Sequence, residues 1–197
     1  MSMKIYLIRH GEVYNPDGII YGRLPNFGLS DKGKTEIGRT ADFLLDKHIE
    51  KIYSSPLERT RQTAEIIKNK LGISTIHFSD QLLEVKTSYQ GRKFSDLDAL
   101  QSEVYLKPLS PTDETIKQIA NRMKSFIEKL IREEKGKHIV VCSHGDPIMI
   151  LKAAIEKKPS LFPIFKEGPY IKHGEVYEVI AGQQDNLSVK SIFKPYL

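Results

Sequence analysis

The sequence predicts an α/β protein: a three-layer α/β/α sandwich in which helices cover both faces of a mostly parallel sheet. Short apolar runs rich in strand-forming residues alternate with longer segments that carry apolar residues at helical spacing, as in βαβ units. The run HIVVCS at residues 138–143 is the clearest buried strand in the chain. The sequence contains no solenoid repeat and no low-complexity segment, so neither feature points to another architecture.

The first half of the chain supplies three strands and two helices. KIYLI is a short apolar run that ends at a charged pair, and a long loop rich in Gly, Pro, Asn and Asp follows at residues 11–30. Ser30 is a helix N-cap ahead of apolar residues at helical spacing, and Pro56 suits the first turn of a second helix. We therefore predict strands at residues 4–8, 51–54 and 74–78, and helices that begin after Ser30 and near Pro56, the latter ending at about Leu71.

The second half supplies the remaining elements. Residues 86–112 are polar and irregular, with a short helix predicted at about 96–106, and Asp113 is the predicted N-cap of a long amphipathic helix that ends near residue 134. The buried run precedes a helix at about 147–156, a Pro-rich loop at 157–172, and strands at 175–181 and 187–193. A chain of 197 residues suits a single domain, residues 1–197. Residues 86–112 are the candidate for a cap-like insertion.

Composition and charge exclude several classes of protein. The net charge is +5 and the pI is near 9.1, but basic and acidic residues are interleaved and no aromatic–basic RNA-binding pattern occurs. We therefore expect a small anionic partner rather than nucleic acid.

No apolar stretch could cross a bilayer, and the first apolar run is too short for a signal peptide, so we expect a cytoplasmic protein without a membrane partner. The single cysteine, Cys142, excludes an intrachain disulfide and is expected to be a buried filler. Nothing in the sequence indicates an oligomeric state.

The pentapeptide HGEVY occurs twice, at residues 10–14 and 173–177, and a third His-Gly pair lies at residues 144–145. In open α/β sheets, ligands bind beyond the carboxyl ends of the strands. His10 and His144 each follow a predicted strand, whereas His173 precedes one. We therefore expect His10 and His144 to meet at one rim and His173 to be a loop residue outside it. The alternative is a rim position for His173, reached if the Pro-rich loop folds over the site.

Polar side chains follow each of the four predicted parallel strands. Arg9 and His10 follow the first, Arg59 the second, Glu84 the third and His144 the fourth. Arginine stays charged and binds phosphate bidentately. The helix that begins near residue 56 could also direct its N-terminus at an anion. The sequence therefore predicts a pocket for a phosphoryl group at this rim.

The same residues suggest a reaction. A neutral imidazole can attack phosphorus and form a covalent intermediate. A carboxylic acid such as Glu84 could protonate the leaving alkoxide and then, as a carboxylate, activate water. His10, His144 and a carboxylate could also bind zinc, but the two arginines would repel a cation, and no HExxH or Cys/His cluster occurs. We expect neither a metal nor another cofactor.

Three segments, LIRHGE, SSPLERTRQTA and VCSHGDP, resemble in this order the motifs of the histidine phosphatase superfamily, also called phosphoglycerate mutase-like, and the resemblance covers essentially the whole chain. It implies the phosphoglycerate mutase-like fold. It also implies roles for the matching residues: His10 as the phosphorylated nucleophile, Glu84 as the proton donor, His144 as a catalytic and phosphate-binding residue, and Arg9, Arg59 and Asn15 as phosphate-binding residues.

The chain departs from this family pattern in two places. The family usually has its loop asparagine one residue later, where this chain has Pro16. After the acid, many members read E-x-x-x-G-x-W-E-G, whereas this chain has the shorter EVKTSYQG, and the mutases read E-R-H-Y-G. The residues after Glu84 therefore favour hydrolysis. We predict a metal-independent phosphomonoesterase that acts on a small phosphorylated substrate, with mutase-type phosphoryl transfer and a non-catalytic phospho-ligand binding module as alternatives.

Overall fold

A six-stranded sheet lies at the centre of the protein. The computed structural model describes residues 3–97, 108–158, 169–181 and 187–196. The strands are β1 (Lys4–Arg9), β2 (Lys51–Ser54), β3 (Ile76–Phe78), β4 (His138–Ser143), β5 (Val176–Ala181) and β6 (Leu187–Phe193). Their order across the sheet is β3-β2-β4-β1-β5-β6. The first four are mutually parallel, and β5 runs antiparallel to both β1 and β6. The predicted mostly parallel sheet is confirmed.

In the described ranges, four α-helices cover the two faces of this sheet. They are α1 (Asp31–Leu44), α2 (Glu58–Leu71), α3 (Ile116–Glu133) and α4 (Gly145–Ile155). Successive residues of β1 point to opposite faces: Ile5 and Leu7 pack with α3 and α4 in one core cluster, while Tyr6 and Ile8 pack with α1 and α2 in the other. The three-layer α/β/α architecture is therefore confirmed. Cys142 is fully buried in the second cluster, as expected of a filler.

Two residues predicted at helix starts, Asp113 and Pro56, have other positions in the structure. The N-cap of α3 is Thr115, which forms a capping box with Gln118. Asp113 instead accepts hydrogen bonds from the backbone and hydroxyl of Ser88 and from the backbone N–H groups of residues 109 and 110, so its carboxylate joins two loops. Pro56 lies ahead of α2, whose N-cap is the extended Leu57. Ser55 therefore lies at the rim of the sheet, between the end of β2 and the start of α2.

The described part of the segment at residues 86–112 packs on the long loop that follows β1. Backbone hydrogen bonds pair Ile20 with Gly91 and Arg92, and Phe94 with Gly18. A short 3-10 helix spans Phe94–Leu97, and the rest of the helix predicted at 96–106 lies outside the described residues. Within the described ranges, no helix has both the length and the apolar character needed to cross a membrane.

Candidate active site

The three motifs LIRHGE, SSPLERTRQTA and VCSHGDP follow or end β1, β2 and β4, and the carboxyl ends of these strands bring them together. Arg9 is the register partner of Ser143 in adjacent parallel strands, and the backbone N–H of His10 donates to the carbonyl of Ser143 at 3.1 Å. His144 follows directly, and its ring lies 5.2 Å from that of His10, between centroids. The convergence of His10 and His144 that the sequence predicted is therefore present.

His10 is buried and has a defined tautomer. Its Nδ1 lies 2.8 Å from the carbonyl oxygen of Gly11, and because a carbonyl only accepts, Nδ1 carries the hydrogen. Nε2 therefore presents its lone pair, which accepts from Nε of Arg59 at 3.3 Å. Burial, followed by the charges of Arg59 and Arg9, lowers the pKa of His10 well below 6.5. At neutral pH this imidazole is uncharged and can act as a nucleophile.

Arg59 is fully buried and rigidly held. Its Nη2 donates to the carbonyl oxygen of Gly22 at 2.8 Å, and its guanidinium lies 4.7 Å from the ring centroid of Tyr21. The bond to Gly22 joins the long loop after β1 to the first turn of α2. Tyr21 and Gly22 were not among the predicted site residues, because nothing local in their sequence indicates that they contact this arginine.

Two buried nitrogen atoms in the cluster have no hydrogen-bond partner among the described residues: Nε of Arg9 and Nδ1 of His144. Arg9 is anchored through Nη1, which donates to the carbonyl of Ile171 at 2.8 Å. His144 is anchored through Nε2, which lies 2.9 Å from the hydroxyl of Ser55. If that hydroxyl donates, Nδ1 of His144 carries a hydrogen. With that tautomer, Nδ1 of His144 and Nε of Arg9 are two unpaired donors at one rim beside Arg59, an arrangement that suits a bound anion.

The carboxyl group of Glu84 faces His144 and Arg59. Its Oε2 lies 3.8 Å from Nδ1 of His144 and 3.9 Å from Nη2 of Arg59, while its Oε1 accepts from the backbone N–H of Val85 at 2.9 Å. Burial, followed by the charge of Asp146, raises the pKa of Glu84 to about 7. The carboxyl group can therefore both give and take a proton near neutral pH.

Asp146 and Tyr170 close one side of the cluster. The hydroxyl of Tyr170 donates to Oδ1 of Asp146 at 2.6 Å, and its ring centroid lies 5.2 Å from the guanidinium carbon of Arg9. A Cβ at Gly145 would lie 2.1 Å from the Tyr170 hydroxyl, so a larger residue there would have to displace this ring from the start of α4. Phe162 and Phe165, two aromatic residues of the Pro-rich loop before Tyr170, lie outside the described residues.

The structure places Asn15 in a turn of the long loop. Its Nδ2 donates to the carbonyl of Ile19 at 2.9 Å, and its Oδ1 accepts from the backbone N–H of Ile19 at 3.2 Å. The amide thus closes a local turn. A phosphate contact of Asn15 stays a prediction that these bonds do not test.

His173 lies against His10, which corrects the expectation that it would be a loop residue outside the rim. The two ring centroids are 5.7 Å apart. The physical reason is strand direction: because β5 is antiparallel to β1, the residues before β5 lie beside the carboxyl end of β1. Gly174 reinforces the approach, since its N–H donates to the carbonyl of Arg9 at 3.0 Å.

Potential metal ligands also meet here. The ligand atoms of His10, Glu84 and His144 lie within 4.8 Å of one another, a spacing that a metal ion could bridge. The chemistry of the surroundings does not suit a cation, because Arg59 donates to Nε2 of His10 and Arg9 adds a second fixed positive charge. The donor set fits an anion better than it fits a metal.

The chain is similar to several known proteins. The sequence model of the histidine phosphatase superfamily (branch 1) matches residues 5–167. A putative phosphoserine phosphatase of Hydrogenobacter thermophilus is 30% identical over 151 residues, which make up 72% of this chain and 73% of that protein. A probable phosphoglycerate mutase of Erwinia tasmaniensis is 27% identical over 168 residues, 80% of this chain and 77% of that protein. The crystal structure of a phosphoserine phosphatase from Entamoeba histolytica in complex with 3-phosphoglyceric acid has the same fold, with a TM-score of 0.81 at 22% identity, and the match covers 99% of this chain and 100% of that one.

Proposed function

Because the chain belongs to the histidine phosphatase superfamily, we propose that it is a metal-independent phosphomonoesterase that works through a phosphohistidine at His10. One observation carries the proposal: the neutral His10 presents its Nε2 lone pair to a cluster of buried cationic and hydrogen-donating groups. A phosphoryl group that binds those donors would have its phosphorus next to the nucleophile.

In the first step, Nε2 of His10 attacks phosphorus in line with the ester oxygen. The P–N bond forms as the P–O bond to the leaving group breaks, and protonated Glu84 gives its proton to the departing oxygen. Arg9, Arg59 and Nδ1–H of His144 stabilise the negative charge on the three remaining phosphoryl oxygens. The products of this step are the free alcohol, the phosphohistidine and the Glu84 carboxylate.

In the second step, the Glu84 carboxylate accepts a proton from a water molecule as that water attacks the phosphohistidine. The P–N bond breaks, its electron pair returns to Nε2 of His10, and inorganic phosphate leaves. Glu84 is protonated again, so the cycle closes without an external acid or base. A pKa of about 7 for Glu84 suits a group that must occupy both protonation states in each turnover.

The substrate class that these groups suit is a small phosphate monoester. Relatives are named for phosphoserine phosphatase activity, and one solved structure contains 3-phosphoglyceric acid, which favours compact phosphorylated metabolites over a macromolecule. We propose a single catalytic domain, residues 1–197, with residues 86–112 as a cap over the site. The pairing of residues 91–94 with the loop that carries Gly22, the residue bonded to Arg59, supports that placement of the cap.

Phosphoryl transfer between two alcohols is the second candidate function, because a relative at 27% identity is named a probable phosphoglycerate mutase. The same phosphohistidine would then pass its phosphoryl group to a second hydroxyl instead of water. An isomerisation assay with 2- and 3-phosphoglycerate separates the two reactions. Interconversion faster than phosphate release would identify the mutase.

The test of the proposed function is hydrolysis of a panel of phosphate esters in EDTA by the wild type and by His10→Ala. We expect EDTA-resistant phosphate release that the substitution abolishes, and a phosphorylated wild-type enzyme after a rapid quench in base, where phosphohistidine survives. Activity that EDTA abolishes, or full activity in His10→Ala, would contradict the mechanism. Saturable phosphate binding with no turnover of any ester would instead favour the binding module.

A further inference from the structure

Glu84 is held through its backbone, although it belongs to no helix or strand. It follows a short 3-10 helix at Asp80–Leu82. Its carbonyl oxygen accepts from Nε of Arg23 at 2.7 Å and from Nη2 of Arg122 at 3.4 Å. These donors come from the long loop after β1 and from the middle of α3. Two arginines from distant parts of the chain therefore meet on one peptide group.

The carboxylate of Glu114 joins these two arginines. It accepts from Nη2 of Arg23 at 2.7 Å, and from Nε and Nη2 of Arg122 at 2.8 and 3.2 Å. It also accepts from the backbone N–H of Lys86 at 2.8 Å. Nη1 of Arg122 donates to the carbonyl of Gln81 at 2.8 Å. We call Arg23, Glu114 and Arg122 the bracket, because together they bind the backbone of residues 81, 84 and 86.

The backbone orientation decides where the Glu84 carboxyl group lies. Oε1 accepts from the N–H of the next residue, Val85, so the side chain is fixed relative to its own peptide group. Oε2 then faces His144 and Arg59 at 3.8 and 3.9 Å. A rotation of this peptide group would carry both oxygens away from the cluster, and displacements of this kind strongly reduce general-acid catalysis.

We propose that Glu114, acting through Arg23 and Arg122, is the positioning residue that holds Glu84 in place for proton transfer to the leaving group. This inference rests on the proposed function, in which Glu84 is the general acid. The bracket is suited to the task because its three side chains are only 15–25% exposed, and because a network of charged hydrogen bonds is stiffer than a single surface ion pair. Neither arginine touches the nucleophile in this role.

A matched control exists at the other end of α3. Glu134 is a comparable carboxylate that accepts from Lys51 and Lys137 at 2.6 Å and from the Tyr53 hydroxyl at 2.8 Å. Lys51 begins β2. This second network therefore lies towards the amino ends of the parallel strands, whereas the site lies at their carboxyl ends. Glu114→Gln and Glu134→Gln remove similar numbers of charged bonds, but only the first should affect Glu84.

The experiment compares kcat/KM for an alkyl phosphate with that for p-nitrophenyl phosphate. The alkyl alkoxide needs a proton to leave, whereas p-nitrophenolate departs without one. The value of kcat/KM reports the steps up to loss of the leaving group. A defect in the later hydrolysis of phosphohistidine therefore does not change it. For Glu114→Gln we expect kcat/KM for the alkyl ester to fall about tenfold or more, with p-nitrophenyl phosphate little changed. Arg23→Ala, a second variant at a partly exposed position, should show the same selective loss.

An equal loss on both esters, no loss on either, or the same pattern in Glu134→Gln would overturn the proposal. If the wild type hydrolyses no ester, the proposed function fails, and a second measurement still decides the positioning role. That measurement is the 13C NMR titration of the Glu84 carboxyl group. A titration midpoint that moves towards the value of an exposed glutamate in Glu114→Gln, and not in Glu134→Gln, supports the bracket, and an unchanged midpoint overturns it.

Discussion

The imidazole rings of His10 and His173 lie 5.7 Å apart between centroids, tilted by 34°. Both histidines open a copy of the same pentapeptide, HGEVY, yet one follows a strand and the other precedes one. Burial, followed by the positive charge of Arg9, lowers the pKa of His173 to about 3, so at neutral pH it packs on His10 as an uncharged ring. One ring nitrogen of His173 also lies within 4.8 Å of a carboxylate oxygen of Glu12 and of one of Glu36.

Replacing His173 by alanine should lower turnover without changing the pH dependence. Loss of the ring leaves a gap beside the imidazole of His10, so that the nucleophile can shift although its bond to Gly11 remains, and we expect about a tenfold fall in kcat/KM for p-nitrophenyl phosphate. The pH profile between 5 and 8 should keep its shape, because His173 does not titrate in that range. His77→Ala, at an exposed histidine on β3, is the control. A shifted profile would show that His173 exchanges protons during the reaction.

The rate with an alkyl phosphate should fall above pH 7. The first step needs protonated Glu84, and because its pKa is raised to about 7, the active form is present below that pH and is lost above it. We expect a descending limb in kcat/KM for the alkyl ester that is weak or missing with p-nitrophenyl phosphate. Glu84→Gln should be slow with the alkyl ester and show no such limb. The same limb in Glu84→Gln would assign the titration to another group.

Arg59→Lys should be nearly inactive although the charge is kept. A lysine ammonium cannot donate to the carbonyl of Gly22 and to a phosphoryl oxygen with the fixed geometry of a guanidinium. We expect kcat/KM for p-nitrophenyl phosphate to fall about 100-fold or more. Arg61→Lys, at an exposed position on the same helix where the arginine lies over Phe78, should behave as the wild type. Near-normal activity of Arg59→Lys would exclude a bidentate role for Arg59.

Two glycines of α1 should respond in opposite ways to alanine. A Cβ at Gly33 would lie 2.1 Å from the carbonyl oxygen of Glu12, so Gly33→Ala must displace the loop beside His10. We expect the free energy of unfolding to fall by about 1–3 kcal/mol and activity to fall with it. Gly38 has open space around it, and Gly38→Ala should raise stability by about 0.5–1 kcal/mol. Denaturant unfolding of both variants gives the comparison.

Local sequence patterns were enough to predict most of the secondary structure and most residues of the central site. Apolar runs predicted the six strands found among the described residues, and β2, β4 and β6 have the predicted bounds. The errors at Asp113 and Pro56 arose where a residue type suits a cap or a first turn but is used elsewhere. Asp113 met the N-cap rule, yet its carboxylate bonds loop N–H groups, and two residues later Thr115 met the same rule and formed the cap.

The family, the α/β/α fold and the convergence of His10 and His144 could be predicted from the sequence, because each depends on motifs and strand ends that are continuous in the chain. Other features of the site arise only from tertiary packing. Strand direction brought His173 to His10, and three distant segments met at the carbonyl of Glu84. Burial together with neighbouring charges set the pKa of Glu84 and of His10. Contacts and local dielectric depend on distances in space, and spacing along the sequence does not fix those distances.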